Sequence, residues 1–274
     1  MSELALHSNL TTSQFTTRAV AFSTKGWFVL AALGHWIFLA YILAVFYPPI
    51  AQQGLEGLQG MHLPSGFREG EHLGNLAAVS HVLLAAIIIG GGPLQLIPAV
   101  RQGFPRFHRW LGRSYLVAAI TSSIGGLYMT WTRSNIGDLI SHIGISGDGL
   151  LIIAFGILAL RSALKRQFDQ HRRWALRLFM VASAVWFFRV GLMGWAMLTG
   201  GIGIHWETFT GPFLYVLGFA QYLLPLIMLE WYFHCQRQAS PNIKIAYVIT
   251  LSALTLFMCL GIFAATMGLW LPRM

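Results

Sequence analysis

Charge is what this sequence has least of. Asp, Glu, Lys and Arg together make up 10% of its 274 residues, where soluble domains carry about a quarter. Such a chain has too few polar groups to solvate a globular surface, which excludes a water-soluble domain. Cysteine is nearly absent: Cys235 and Cys259 stand apart with no CxxC, so neither a disulfide framework nor a Cys-based zinc site is indicated. Also missing are HExxH, the histidine boxes of di-iron desaturases, GxSxG and the P-loop, so familiar hydrolytic and nucleotide-driven chemistries lose support. No long polar domain is present, and any soluble redox partner would be a separate chain. The first 26 residues are polar and Ser/Thr-rich, with Arg18 and Lys25 before the first apolar run. They lack the short basic start and small-residue cleavage site of a secretory signal. Residues 1–26 therefore read as a cytoplasmic tail leading into an uncleaved signal anchor.

What fills the chain instead is apolar: 56% hydrophobic residues and a mean hydropathy of +0.63. A bilayer core needs about 20 apolar residues per helix. Seven runs answer to that, Trp27–Tyr47, Leu76–Val100, Leu111–Trp131, Leu150–Ala163, Trp174–Leu198, Phe213–Phe233 and Ile245–Trp270. The fourth is short and has room to extend back through the Gly-rich HIGISGDG. The expected fold is an all-α membrane protein, with residues 27–272 forming one seven-helix domain. Lys and Arg are retained on the cytoplasmic side. Fourteen of the 18 fall in the tail, around Arg101–Arg113, around Arg161–Arg177, and at Arg237 and Lys244. Glu56, Glu69, Glu71, Asp138, Asp148 and Glu207 collect on the other side. This predicts an inner-membrane, multi-pass protein with the N-terminus cytoplasmic and the C-terminus outside. Trp110, Trp174 and Trp231 would mark the inner interface, and Trp131, Trp195, Trp206 and Trp270 the outer one. The net charge of +9 is then topogenic, with some attraction to anionic lipid heads; no nucleic-acid partner is implied.

An internal repeat carries the functional signal. PRFHRWLGRSY at residues 105–115 and FDQHRRWALRLF at 168–179 share an outline, and each follows a histidine one helix earlier. His81 and His108 are 27 residues apart, His142 and His171 are 29 apart. A helix of that length covers about 40 Å, slightly more than a bilayer core. The two units read as antiparallel hairpins, about 75–132 and 140–199, in which helices 2–5 make a four-helix bundle. Two histidines on different helices at one depth are what a bis-imidazole haem site requires. His108 and His171 would ligate haem b, with Arg109, Arg113, Arg172 and Arg177 near its propionates. His81, inside AAVSHVLLAA, would ligate or line an outer site, with the intramembrane Arg189 as counter-charge. The plainer reading is that these arginines and histidines only anchor helix ends. IIIGGGPLQLIP is expected to interrupt helix 2 or, more plainly, to pack it tightly. Arg189 looks for Asp148 or an anionic ligand as partner, and His35 and Glu230 read as packing or interfacial residues.

The stretch HVLLAAIIIGGGPLQLIPAVRQGFPRFHRWLGRSY, then GGLYM, then HRRWALRLF and WFFR, resembles a family of bacterial multi-pass membrane proteins known as a domain of unknown function. The likeness covers about residues 75–190. It runs through His81, Gly92, Pro93, Gln95, Arg101, His108, Arg109, Gly112, Arg113, Tyr115, His171, Arg172, Arg173, Trp174, Arg177 and Arg189. His142 is not part of it. Helix count and paired histidines give a looser likeness to di-haem b-type cytochromes of the ascorbate-reducible kind. The expectation is a haem-binding protein moving electrons between a membrane quinone or small reductant and another acceptor, and so a membrane oxidoreductase. The alternative is a non-redox transporter or a protein binding lipid or organic anions. A membrane enzyme using His81 and Arg189 on a lipid-soluble substrate is a third reading, for which no nucleophile–base pair is offered.

Overall fold

The computed structural model describes residues 3–61, 66–133, 137–237 and 239–274, with side chains from Gln14 onward. The described chain is helical, without strands. In order come α1 (Glu3–Val45), α2 (Tyr47–Gln53), a 3-10 turn (Gly54–Leu58), α3 (His72–Leu96), α4 (Pro98–Gly103) and α5 (Pro105–Thr132). Then follow α6 (Leu139–Leu164), α7 (Phe168–Ala182), α8 (Ala184–Thr199), α9 (Pro212–Arg237) and α10 (Pro241–Ala265). The polar N-terminal stretch is thus the first part of α1 rather than a separate tail. Thr16 and Val20 are buried, and Lys244 at the start of α10 donates to Thr17 Oγ1.

Five segments are long and apolar enough to cross a membrane: Gln14–Leu58, His72–Leu96, Leu139–Leu164, Pro212–Arg237 and Pro241–Arg273. A sixth is the pair α7 and α8, bent by 46°. The short fourth run does extend back to Leu139, where Asp138 caps the helix by accepting from the Ser141 amide at 3.1 Å. Helix α5 is 28 residues long, about 42 Å, but its arginines, serines and threonines leave it less apolar than the other spans. It lies lengthwise against both α3 and α6, while α6 lies against α7.

Helix α3 passes through Gly90–Pro93 without interruption. The break comes instead at Ile97 (ψ 115°), because the residue before a proline is disfavoured in helical conformation and Pro98 follows. The three glycines serve close packing. A Cβ at Gly90 would come within 2.9 Å of Leu39, at Gly91 within 3.0 Å of Leu111, and at Gly92 within 3.1 Å of Phe179. One run of small residues therefore lets α3 approach α1, α5 and α7 together.

The bend between α7 and α8 falls at Ser183, in a stretch expected to be one straight helix. His35 of α1 is fully buried against it. Its Nδ1–H donates to the Ala31 carbonyl (2.7 Å), leaving Nε2 to accept from the Ser183 hydroxyl (3.0 Å). The ring lies tilted against Trp186, centroids 4.2 Å apart, and stacks on Phe179 at 5.6 Å. His35 is a packing residue, as expected, and its neutral tautomer is fixed by both partners.

Two ends of the molecule differ. At one end lie the basic loops: Thr24 hydrogen-bonds the Tyr247 hydroxyl, bringing α1 and α10 together beside the starts of α5 and α7. At the other end, Arg133 is 2% exposed and donates from Nη2 to the Gly66 carbonyl (2.7 Å) and Asn75 Oδ1 (2.9 Å). Its Nε lies 3.1 Å from Glu71 Oε2. Arg68 in turn donates to the Arg133 carbonyl at 2.6 Å. This clasp fixes the end of α5 to the start of α3, and only glycine fits at position 74, where a Cβ would collide with the Arg133 guanidinium. Replacing Arg133 by Met removes the donor to the Gly66 carbonyl and one of the two donors to Asn75 Oδ1, while Arg68 still holds Asn75 and Glu71, and should cost about 1–2 kcal/mol. Gly74→Val should lower the thermal midpoint in nanodiscs as well. Wild-type midpoints for both variants would show that the clasp does not hold the hairpin.

Candidate functional site

The repeat seen in sequence recurs in the backbone. Helices α5 and α7 both begin after a non-helical residue, Phe104 (φ −129°, ψ 63°) and Gln167 (φ −86°, ψ 72°). In each, the histidine is the fourth helical residue. Its amide closes the first turn onto that preceding residue, His108 to Phe104 O at 3.0 Å and His171 to Gln167 O at 2.9 Å. Each histidine is also tied to the helix before it. Gln95 of α3 donates from Nε2 to the His108 carbonyl (3.1 Å), and His171 donates from Nδ1 to the Ala159 carbonyl of α6 (2.9 Å).

Both rings line one cavity of about 1010 Å³ at the basic end. Arg101, Arg109, Arg113 and Arg172 line it too, and no acidic residue does among the described residues. Beyond this basic mouth the walls are apolar and aromatic, from Trp27 and Phe28 of α1 to Phe179, Phe187, Leu217, Phe257 and Met258. Its size is at the upper end of small-molecule sites. The donor set is unevenly used. His171 commits Nδ1–H to Ala159, so its Nε2 keeps a free lone pair, the arrangement by which a second partner orients a metal-ligating imidazole. The His108 Nδ1 is buried with no partner at all. Tyr115, also in the lining, has a buried hydroxyl without a partner.

Three of the expected site residues stand outside this lining. His81 bridges α3 and α5 by donating from Nδ1 to the Ser122 carbonyl (3.0 Å). Arg177, expected beside propionates, is instead neutralised by Glu230 of α9, with Nη2 2.6 Å and Nε 2.7 Å from Oε1. Its guanidinium lies over the Trp174 ring, 4.7 Å from the centroid. Arg189 does not meet Asp148. It donates from Nη1 to the Val185 carbonyl (3.0 Å) and lies over Phe38, 5.2 Å from the ring centroid. Helical side chains lean toward their own N-terminus, which turns this one toward the bend rather than toward the outer interface. His142, left out of the resemblance, packs edge-on against Trp131 at 5.7 Å. Sequence reasoning named Gln95 and Arg101 without giving them a role. It also passed over the Tyr115 hydroxyl, which the packing of α5 against Gly92 and Phe179 buries without a partner.

These features define a multi-pass, all-helical membrane protein with an amphiphilic cavity at its basic end. Residues 78–205 match the family model described as "Predicted membrane protein (DUF2306)", a domain of unknown function. That match bears out the resemblance read from the sequence, over nearly the same stretch. No curated protein and no solved structure matches the chain, so the looser likeness to di-haem cytochromes gains no support.

His108 precedes the apolar part of α5 and is held below the ordinary histidine value of 6.5, first by burial, then by Arg101, His171 and Arg109. Folding therefore makes this ring harder to protonate. Its contribution is complete above the unfolded value and is lost as pH falls toward the lowered folded one. The thermal midpoint of wild type should drop more steeply between pH 7 and 5 than that of His108→Asn, which has nothing to titrate. Equal slopes would show that the ring is not kept neutral.

Proposed function

We propose that the chain binds haem b in this cavity, where His108 and His171 would hold the group, and serves as a membrane electron-transfer protein. The observation that carries the reading is that two imidazoles from equivalent helix starts line one cavity whose charged lining is entirely basic. The residues fit such a group. His171 has Nε2 available, His108 has an unpartnered Nδ1, and Arg101, Arg109, Arg113 and Arg172 can pair carboxylates bidentately. Haem, when bound, supplies one-electron chemistry. The protein's part is to keep the His108 ring neutral, orient His171 through Ala159 and neutralise the propionates. Arg177 leaves the proposed propionate set, since Glu230 already takes it.

The topology behind this reading is seven crossings, with α5 as the third, the basic end cytoplasmic and the C-terminus outside. Its support is the packing of α5 between α3 and α6, both long and apolar enough to span. The contacts α3–α5, α5–α6, α6–α7 and α3–α7 support the four-helix bundle, and the distribution of Lys and Arg supports the inner membrane.

A second reading is favoured by a specific feature. Leu160, Leu164 and Phe168 line the cavity and are 43%, 76% and 69% exposed, so the mouth opens sideways to hydrocarbon. An exchangeable anionic lipid or organic anion, bound for transport or sensing, would use such a portal.

Spectroscopy separates the two. Protein purified from haem-replete cells should show a Soret band, reduced-minus-oxidised α and β bands, and loss of these in His108→Ala and in His171→Ala. A colourless preparation, stabilised against heat by an anionic amphiphile such as oleate, would reject haem and favour the second reading.

A further inference from the structure

The cavity extends well past its basic mouth, and its inner part has a different chemistry. Tyr115 stands seven residues beyond His108 on α5, about 10 Å along the helix axis. It is 6% exposed, lines the cavity, and its hydroxyl has no hydrogen-bond partner. Gly92 opposite it cannot carry a Cβ without pressing on Tyr115 and Phe179, at 3.2 and 3.1 Å. No charged residue lines this region. Its other polar group is Gln221, whose amide nitrogen is tied back to the Gly218 carbonyl at 2.8 Å. The walls are aromatic and aliphatic: Phe179, Phe187, Val190, Leu217 and Met258.

A buried hydroxyl without a partner costs about 1–3 kcal/mol, a cost that an occupant supplying an acceptor would remove. Neutral surroundings reject a charged head at this depth, and aromatic walls suit a flat ring. The sideways opening at Leu160 and Leu164 admits a molecule dissolved in the bilayer and leaves an exit for its tail. We infer that the inner cavity is a binding site for a lipid-soluble quinone, with the Tyr115 hydroxyl donating to a ring carbonyl. This goes beyond the haem reading and does not depend on it, because the quinone ring would meet none of the arginines or histidines of the basic mouth.

The test uses the full-length protein in nanodiscs with decyl-benzoquinone as ligand, and dodecanol as a control bearing a tail and a hydroxyl but no quinone ring. The quinone should raise the thermal midpoint in a concentration-dependent way, and dodecanol should not. Tyr115→Phe should weaken the apparent quinone affinity about five- to tenfold. Without quinone it should melt at or above the wild-type temperature, since it removes an unsatisfied group. A photoreactive azido-quinone should label peptides of α5, α7, α8, α9 or α10, and excess decyl-benzoquinone should suppress that labelling. Equal stabilisation by dodecanol, unchanged affinity in Tyr115→Phe, or labelling confined to other helices would each overturn the site. The haem reading fails separately: His108→Ala should lose any Soret band and keep the quinone response.

Discussion

Inside a bilayer a polar group has no water to fall back on, so each must find a partner within the protein or bear the full cost of burial. Most of this chain obeys that constraint locally. Hydroxyls of Ser80, Thr130, Ser162, Thr255 and Thr266 return to carbonyls one turn back in their own helices. Interior residues with more demanding chemistry are closed between helices: His35 against Ala31 and Ser183, His81 against Ser122, Arg133 against Gly66 and Asn75. Some buried groups stay unclosed, among them polar atoms of Ser122, His142, Asp148, Trp186 and Trp270. His108 Nδ1 and the Tyr115 hydroxyl differ from these in belonging to residues that line the large cavity. A small side-chain rotation would offer either to a ligand there.

The fold was legible in proportion to how local its cause was. Long apolar runs announce spans because hydrocarbon thickness sets their length, and the extension of α6 back to Leu139 follows from an Asp cap and a small-residue stretch that tolerates packing. IIIGGGPLQLIP was open to two readings, a break whose residues included Pro98 or tight packing; its glycines do pack, and the break falls at Ile97, ahead of Pro98. The bend at Ser183 has no proline to announce it, and its hydroxyl bond to His35 comes from a helix 148 residues away. The site was legible where the repeat doubled it: His108 and His171 do reach one cavity. Arg177 and Arg189 were not separable from their neighbours by sequence, because the Glu230 carboxylate and the Phe38 ring that take them belong to other helices.

The two halves of the repeat share a backbone frame and differ in how the imidazole is held. In the second hairpin the α6 carbonyl of Ala159 takes the His171 ring directly. In the first, Gln95 takes the His108 carbonyl and leaves the ring nitrogen unbound. One imidazole is oriented by a hydrogen bond from the protein, and the other by packing alone. A pair built purely to anchor helix ends would have no need of this difference, since both rings would turn to water or headgroups. A pair built around a ligand can tolerate it, because the ligand fixes the second ring once the first is in place.

Anchoring and binding are also not rivals for the same charges. Of the basic residues that favour one side of the membrane, Arg161, Lys165 and Arg166 are not part of the cavity wall, and Arg177 is paired with Glu230. Arg101, Arg109, Arg113 and Arg172 line the cavity instead. The topogenic requirement is met by any cation on that face, so it does not by itself select these four for a cavity wall that, among the described residues, no carboxylate shares. All four side chains are exposed, so water and lipid phosphate screen them from one another. An anionic group at this mouth would meet four guanidiniums without first having to displace a protein carboxylate.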